Sequence, residues 1–145
     1  MPLNLAILAP DRAADVMAAF AGIDRWAVGG HSLGGAMAAR YAYQNPDTVR
    51  GLVLWSAYPA STDDRSGLPL AVTSIYSTRD GLATGAKIAA SRPLLPGGTR
   101  WVAIERRNHA QLGWYGPQPG DGTATVSRKE QQRQVVAATL ELLSR

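Results

Sequence analysis

Residues 25–43 read RWAVGGHSLGGAMAARYAY, and this stretch carries the strongest fold signal in the chain. An apolar run over 25–28 meets Gly29 and Gly30, which predicts a short strand that ends in a tight turn. The alanine-rich segment 33–43 then predicts a helix, which Pro46 stops. A strand, a turn and a helix in this order form the first half of a parallel α/β unit.

The rest of the chain alternates between segments with the apolar pattern of a strand and segments with the apolar pattern of a helix. Further strands are predicted over 49–57, 70–76 and 100–105. The predicted helices begin at Pro10, where residues 13, 16, 17 and 20 form one apolar stripe, at Thr84 and after Ser127. The last helix opens with a capping box, Ser127 and Glu130, and its predicted buried stripe consists of Val136, Leu140 and Leu143.

This order of elements predicts one α/β domain over residues 1–145. We expect a parallel sheet of about four strands with helices on both faces, since near-continuous apolar strands separated by helices are typical of that architecture. Ligands of such sheets bind beyond the carboxyl ends of the strands. The residues that directly follow each predicted strand are therefore the candidates for a site.

Composition excludes several classes of function. The 145 residues include no cysteine and only two histidines, so disulfides, thiolate nucleophiles and a dedicated metal cage are not expected. No metal or organic cofactor is implied. The net charge is +4, but the basic residues are scattered, which argues against a nucleic-acid partner. No apolar run approaches the roughly 20 residues that a membrane span needs.

Residues 30–34 match the pattern G-x-S-x-G between a predicted strand and a predicted helix. In that context the serine lies in a strained turn that lifts its hydroxyl above the sheet, and glycines are needed where the backbones crowd. Ser32 is therefore the candidate nucleophile, and the amide of Leu33 is a candidate oxyanion donor. A phosphate-binding loop is not supported, because Gly35 stands where that motif requires lysine.

Two further residues complete a candidate catalytic triad. Asp80 ends the third predicted strand, and His109 lies in the loop after the fourth. The chain order serine, acid, histidine and the shared edge of the sheet favour His109 as general base and Asp80 as its orienting carboxylate. Asp63 or Asp64, after the second strand, is the alternative acid.

Three segments carry a resemblance to a known family, namely residues 29–42, 77–81 and 107–113. They resemble the nucleophile, acid and histidine segments of the α/β-hydrolase superfamily. The resemblance is to its small, capless bacterial members, grouped as α/β-hydrolase family 5 or dienelactone-hydrolase-like. It implies an open parallel sheet and hydrolysis of carboxylic esters through an acyl-enzyme on Ser32. A catalytically impaired remnant with a binding or assembly role is the alternative.

One departure from the family concerns the front of the sheet. Family members carry further strands ahead of the first helix found here, and the loop after one of them supplies a second oxyanion amide. The sequence contains neither, and it does not say whether the chain is a piece of a longer protein. The strand around residues 26–28 is then an exposed edge, which predicts self-association as a homo-oligomer.

Substrate expectations are coarse. The short loop between the second and third strands suits small, accessible acyl esters rather than long lipids. His31, Trp114 and Tyr115 are the candidate residues that line the substrate site. The native ester stays open, and so does localisation, with the cytoplasm preferred.

Overall fold

A computed structural model describes residues 12–114 and 116–144 of the chain. The helices are α1 (Arg12–Ala19), α2 (Leu33–Gln44), α3 (Gly85–Ala90) and α4 (Arg128–Leu143). The strands are β1 (Trp26–His31), β2 (Val49–Trp55), β3 (Ala71–Ser77) and β4 (Arg100–Ile104). Short 3₁₀ turns cover Arg92–Leu94 and Ala110–Leu112. The predicted start of the first helix at Pro10 lies outside the described residues.

The four strands form one parallel sheet in the order β1-β2-β3-β4. One row of paired residues crosses the whole sheet, from Gly30 through Leu54 and Ser74 to Trp101. The predicted fold class is confirmed, since the four strands pair in parallel, α2 connects β1 to β2 and α3 connects β3 to β4. The connection from β2 to β3 is a loop without a helix.

Apolar side chains cover both faces of the sheet. On one face α2 packs through Ala39 and Ala42 against Leu52 and Leu54 of β2. On the other face α4 packs through Val135, Ala138 and Leu142 onto the central strands, in a cluster that also contains Val53, Ile75 and Ile104. These two layers hold the strands rigidly, and the loops at their carboxyl ends are anchored by that core.

The inward face of α4 differs from the prediction. The residues expected to be buried, Val136, Leu140 and Leu143, are more than half exposed in the described structure. The helix instead buries the face one position earlier, with Gln131, Val135, Ala138 and Leu142. The reason is that α4 has apolar residues on two adjacent faces, and Gln131 Nε2 fixes the choice by donating to Ser77 Oγ and the Asn108 carbonyl.

Helix α1 forms as predicted, but its apolar stripe packs only in part. Met17 contacts the core cluster on the α2 face, and the Tyr41 hydroxyl lies 3.6 Å from its sulfur. Val16 and Phe20 are exposed. Among the described helices, none combines the length and hydropathy that a membrane crossing requires.

Candidate active site

Ser32 occupies a strained turn between β1 and α2. Its backbone has φ 53° and ψ −124°, a conformation that costs an L-residue energy. The turn is tied down on both sides, because the Ser32 amide donates to the Trp55 carbonyl (3.0 Å) and the Ser32 carbonyl accepts from Ala36 (3.1 Å). A Cβ on Gly30 would lie 2.5 Å from the Gly34 carbonyl carbon, so only glycine fits there.

The beginning of α2 supplies a candidate oxyanion donor. Leu33 is the first residue of this helix, so its amide has no acceptor one turn earlier inside the helix. The side chain of Leu33 is 44% exposed, which leaves the turn open to solvent. The Leu33 amide is therefore free to donate to an oxygen that develops charge next to Ser32.

The side chains of Asp80 and His109 lie in direct contact. Asp80 Oδ2 is 2.8 Å from His109 Nδ1, and both side chains are buried. The other carboxylate oxygen, Oδ1, accepts from the amides of Leu82 (2.8 Å) and Ala83 (2.7 Å). The carboxylate is thus held by its own turn on one side and turned toward the imidazole on the other.

The surroundings of Asp80 keep it ionised. Burial alone would raise the pKa of its carboxyl, but the hydrogen bond with His109, the nearby Ser56 hydroxyl and the Leu82 amide together lower that pKa below its ordinary value. Ser56 is fully buried at the end of β2 and has φ 42°. Sequence patterns gave no signal for it, because a serine after a strand is common.

Nε2 is the ring nitrogen of His109 that Asp80 does not contact. Nε2 is buried and makes no hydrogen bond with any described residue. The His109 ring contacts the ring of His31, the residue before Ser32, with centroids 4.3 Å apart. The loop after β4 therefore reaches the end of β1, and the arrangement brings a buried imidazole and its carboxylate partner to the residue that precedes Ser32.

His31 is held as a neutral ring. Burial, followed by the charge of His109, lowers its pKa from 6.5 to about 4. At neutral pH His31 thus adds no positive charge beside His109. Its contact with His109 places it inside the candidate site, where it was expected to line the substrate.

Asp63 and Asp64, the alternative acids, interact with residues other than His109. Asp63 Oδ2 lies 3.2 Å from Nη2 of Arg65, a fully buried guanidinium that also donates from Nε to the Ala39 carbonyl. Asp64 is exposed and accepts from the Ser66 amide at 2.9 Å. Of the three carboxylates considered, the structure brings only Asp80 to His109.

The two aromatic residues expected beside the site have different outcomes. Trp114 is 85% exposed, and its ring lies 4.4 Å from the Arg128 guanidinium carbon. Its ring therefore contacts a cation at the surface. Tyr115 lies outside the described residues.

Asp121 lies beside the candidate site, and no sequence pattern pointed to it. Its carboxylate accepts hydrogen bonds from the backbone amides of Gly81, His109, Ala110 and Gly122. It lies in the glycine- and proline-rich segment 113–123. An aspartate there has the usual signature of a turn residue, so nothing in the local pattern marks its longer reach.

Comparison with known proteins supports the assignment of this fold. The model of an alpha/beta hydrolase family matches residues 1–133. A "predicted CIB-like hydrolase" from Thermoplasma acidophilum superposes with a TM-score of 0.66 at 19% identity, over 89% of this chain and 56% of that one. The chain thus spans little more than half of that hydrolase. None of the curated proteins matches the chain.

Two esterases share the fold at lower identity. A carboxylesterase from Nitrososphaera gargenis superposes with a TM-score of 0.67 at 11% identity, covering 95% of this chain and 72% of its own. An esterase from Thermogutta terrifontis gives 0.67 at 12%, covering 93% and 71%. Given the family match, the chain belongs to the alpha/beta hydrolase family.

Proposed function

We propose that this chain is a serine-dependent carboxylic ester hydrolase that works through an acyl-enzyme on Ser32. The observation that carries the proposal is the 2.8 Å contact between Asp80 Oδ2 and His109 Nδ1, with His109 Nε2 buried and without a partner among the described residues. A neutral imidazole held at Nδ1 presents Nε2 as a base, which is what activation of a hydroxyl requires.

The proposed first half-reaction forms the acyl-enzyme. Ser32 Oγ attacks the ester carbonyl carbon while His109 Nε2 takes the hydroxyl proton, and Asp80 stabilises the imidazolium that results. The Leu33 amide donates to the oxyanion of the tetrahedral intermediate. The C–O bond to the alcohol then breaks, and the leaving oxygen takes the proton from His109.

The second half-reaction returns the enzyme to its resting state. Water attacks the acyl carbon and gives its proton to His109 Nε2, the Ser32 ester bond breaks, and Ser32 Oγ recovers a proton from His109. The products are one carboxylic acid and one alcohol for each ester and water consumed.

The local structure favours small or accessible acyl esters. The loop between β2 and β3 is pinned close to the domain, because the Arg65 amide donates to the Leu94 carbonyl and the Arg65 side chain reaches Ala39 in α2. A loop held in this way does not form a lid over Ser32. The open turn and the exposed Leu33 side chain leave the reacting serine accessible from solvent.

Labelling with a fluorophosphonate probe tests the proposal. We expect the wild-type chain to be labelled on Ser32 and to hydrolyse p-nitrophenyl esters, with short acyl chains preferred. Ser32→Ala should abolish labelling and reduce turnover by up to about 10⁶-fold. Ser144→Ala is the matched control, since the Ser144 hydroxyl lies at the end of α4, where it donates to the Glu141 carbonyl.

A non-catalytic remnant with a binding or assembly role is the competing function. The observation in its favour is that the Ser32 hydroxyl makes no hydrogen bond to His109 or to any other described residue. If folded wild-type protein is not labelled and its esterase activity equals that of Ser32→Ala, the hydrolase proposal is wrong and this second function replaces it.

A further inference from the structure

We propose that Asp121 is a positioning residue that sets the hydrogen bond between Asp80 and His109. Its side chain bonds the backbone of both segments that carry these residues, and it does not touch the reacting atoms. The catalytic consequence rests on the proposed function, whereas the structural consequence is measurable without any activity.

One carboxylate joins the two loops. Asp121 Oδ1 accepts from the amides of Gly81 (3.2 Å) and His109 (3.1 Å), and Oδ2 accepts from Ala110 (2.9 Å). Gly81 directly follows Asp80. The carboxylate therefore fixes the backbone of the general base and the backbone next to its acid with respect to one another.

The carboxylates of Asp80 and Asp121 hold different parts of the site. Asp80 uses Oδ1 for its own turn and Oδ2 for the His109 ring. The backbone of the His109 loop is held by the second carboxylate, because the His109 amide donates to Asp121. Hydrogen bonds from amides to an ionised carboxylate are stronger than those to a neutral acceptor, so several of them on one side chain hold the loop firmly.

The backbone around Asp121 is packed too tightly to move as a free loop. A Cβ on Gly81 would lie 2.0 Å from the Gly120 carbonyl oxygen, and a Cβ on Gly122 would lie 2.0 Å from the Arg79 carbonyl oxygen. Two side-chain bonds reinforce this packing. Asn108 Nδ2 donates to the Gly122 carbonyl (2.9 Å), and Arg79 Nη1 donates to the Thr123 carbonyl (3.2 Å).

These contacts define a segment, residues 120–122, that lies between the turn of Asp80 and the loop of His109. Its position explains how the His109 ring, which Asp80 holds through Nδ1, is presented in one orientation. A displacement of about 1 Å at a reacting group can cost about 10²-fold in rate, so an element that fixes this spacing has a direct effect on turnover.

The structural test measures the tautomer of the neutral His109 ring by long-range ¹H–¹⁵N correlation. The chain has only two histidines, so His109→Gln assigns the signals directly. We expect the wild type to hold the proton on Nδ1, which donates to Asp80. Asp121→Asn, which keeps one acceptor oxygen, should shift the ring toward a mixture of tautomers, and Asp121→Ala should shift it further.

The matched control is Asp47→Asn. Asp47 is exposed in the turn before β2, at the opposite end of the sheet, and should leave the tautomer and the turnover unchanged. Circular dichroism and thermal unfolding establish that each variant is folded. If the neutral His109 ring keeps the wild-type tautomer in both folded Asp121 variants, the proposal is overturned.

The kinetic test separates positioning from binding. On a p-nitrophenyl ester, Asp121→Asn should lower kcat by about 10²-fold with little change in KM, and Asp121→Ala should lower kcat more. An unchanged kcat in Asp121→Ala would overturn the proposal. If the wild type itself has no Ser32-dependent activity, the proposed function fails, and the tautomer measurement still decides the role of Asp121.

Discussion

The rings of His31 and His109 lie in contact, with centroids 4.3 Å apart and planes inclined by 45°. Two imidazole rings at this distance would repel each other if both were positively charged. Burial and the neighbouring charge lower the pKa of His31 to about 4, so this ring is the one that stays neutral. The arrangement keeps a second cation away from the proposed general base throughout the neutral range.

The lowered pKa of His31 predicts a specific loss of stability in weak acid. The unfolded chain binds a proton at His31 below pH 6.5, but the folded chain does so only below about 4. The free energy of unfolding should therefore fall as the pH falls from 6.5 to 4. After discounting for partial exposure of the ring, we expect a loss of about 1–2 kcal/mol, measured by urea unfolding.

His31→Gln isolates this effect, because the variant cannot bind the proton in either state. The difference in unfolding free energy between wild type and His31→Gln should change across this window and be constant above it. Asp80, whose pKa is lowered, acts in a separate window, since its contribution is lost below its ordinary value of 3.8. Parallel pH profiles for the two proteins would contradict the prediction.

Asp80→Asn should reduce turnover strongly without unfolding the protein. The amide keeps an oxygen for the Leu82 and Ala83 N–H groups, but it no longer offers His109 an anionic acceptor. Loss of this role in serine hydrolases costs about 10⁴-fold in kcat. Steady-state hydrolysis of a short p-nitrophenyl ester measures the effect.

Asp64→Asn is the comparison that settles which residue is the acid. Asp64 is exposed and bonds only the Ser66 amide among the described residues, so the variant should retain wild-type turnover. A larger loss of turnover in Asp64→Asn than in Asp80→Asn would reassign the acid to the loop after β2.

The buried pair of Arg65 and Asp63 predicts a large effect on stability. Arg65 is fully buried, and Asp63 Oδ2 is its carboxylate partner at 3.2 Å. Asp63→Ala leaves an uncompensated buried cation, so the free energy of unfolding should fall by about 3 kcal/mol. Asp64→Ala, one residue further on at the surface, should change it little. Equal stability of the two variants in urea would show that the pair contributes nothing.

Much of this architecture could be predicted from sequence, because local signals agree with the fold. The apolar runs of β2 and β3 are buried on both sides, and Thr84 and Ser127 cap α3 and α4 as their spacing predicts. The positive φ of Ser32 agrees with the G-x-S-x-G pattern, since the serine of that motif occupies a strained strand-to-helix turn. Chain order, together with the shared edge of the sheet, pointed to Asp80 and His109 as neighbours.

Other features depend on contacts that no local pattern encodes. The inward face of α4 is selected by Gln131, a polar residue that is buried because Ser77 and Asn108 accept its hydrogen bonds. The role of Asp121 depends on loops that approach from 12 and 40 residues away. Their proximity is a property of the folded sheet, so periodicity and turn propensity could not reveal it.

The open edge of β1 predicts self-association. In the described structure β1 pairs only with β2, so its other edge presents unpaired backbone groups. The Trp26 and Ser32 amides donate toward β2, and alternation along the strand therefore turns the Ala27 amide to the open edge. We expect sedimentation velocity to show concentration-dependent oligomers.

Ala27→Pro tests whether the strand edge itself is the interface. Proline removes the outward-facing donor but leaves the ladder with β2 intact, since an edge strand tolerates proline where the N–H faces solvent. The variant should stay folded by circular dichroism and sediment as a smaller species than the wild type at equal concentration. A wild-type chain that is monomeric over the whole range would refute the predicted association. If both proteins formed identical oligomers, the interface would have to lie elsewhere, and the exposed apolar face of α4 with Val136 and Leu140 would be the surface to test next.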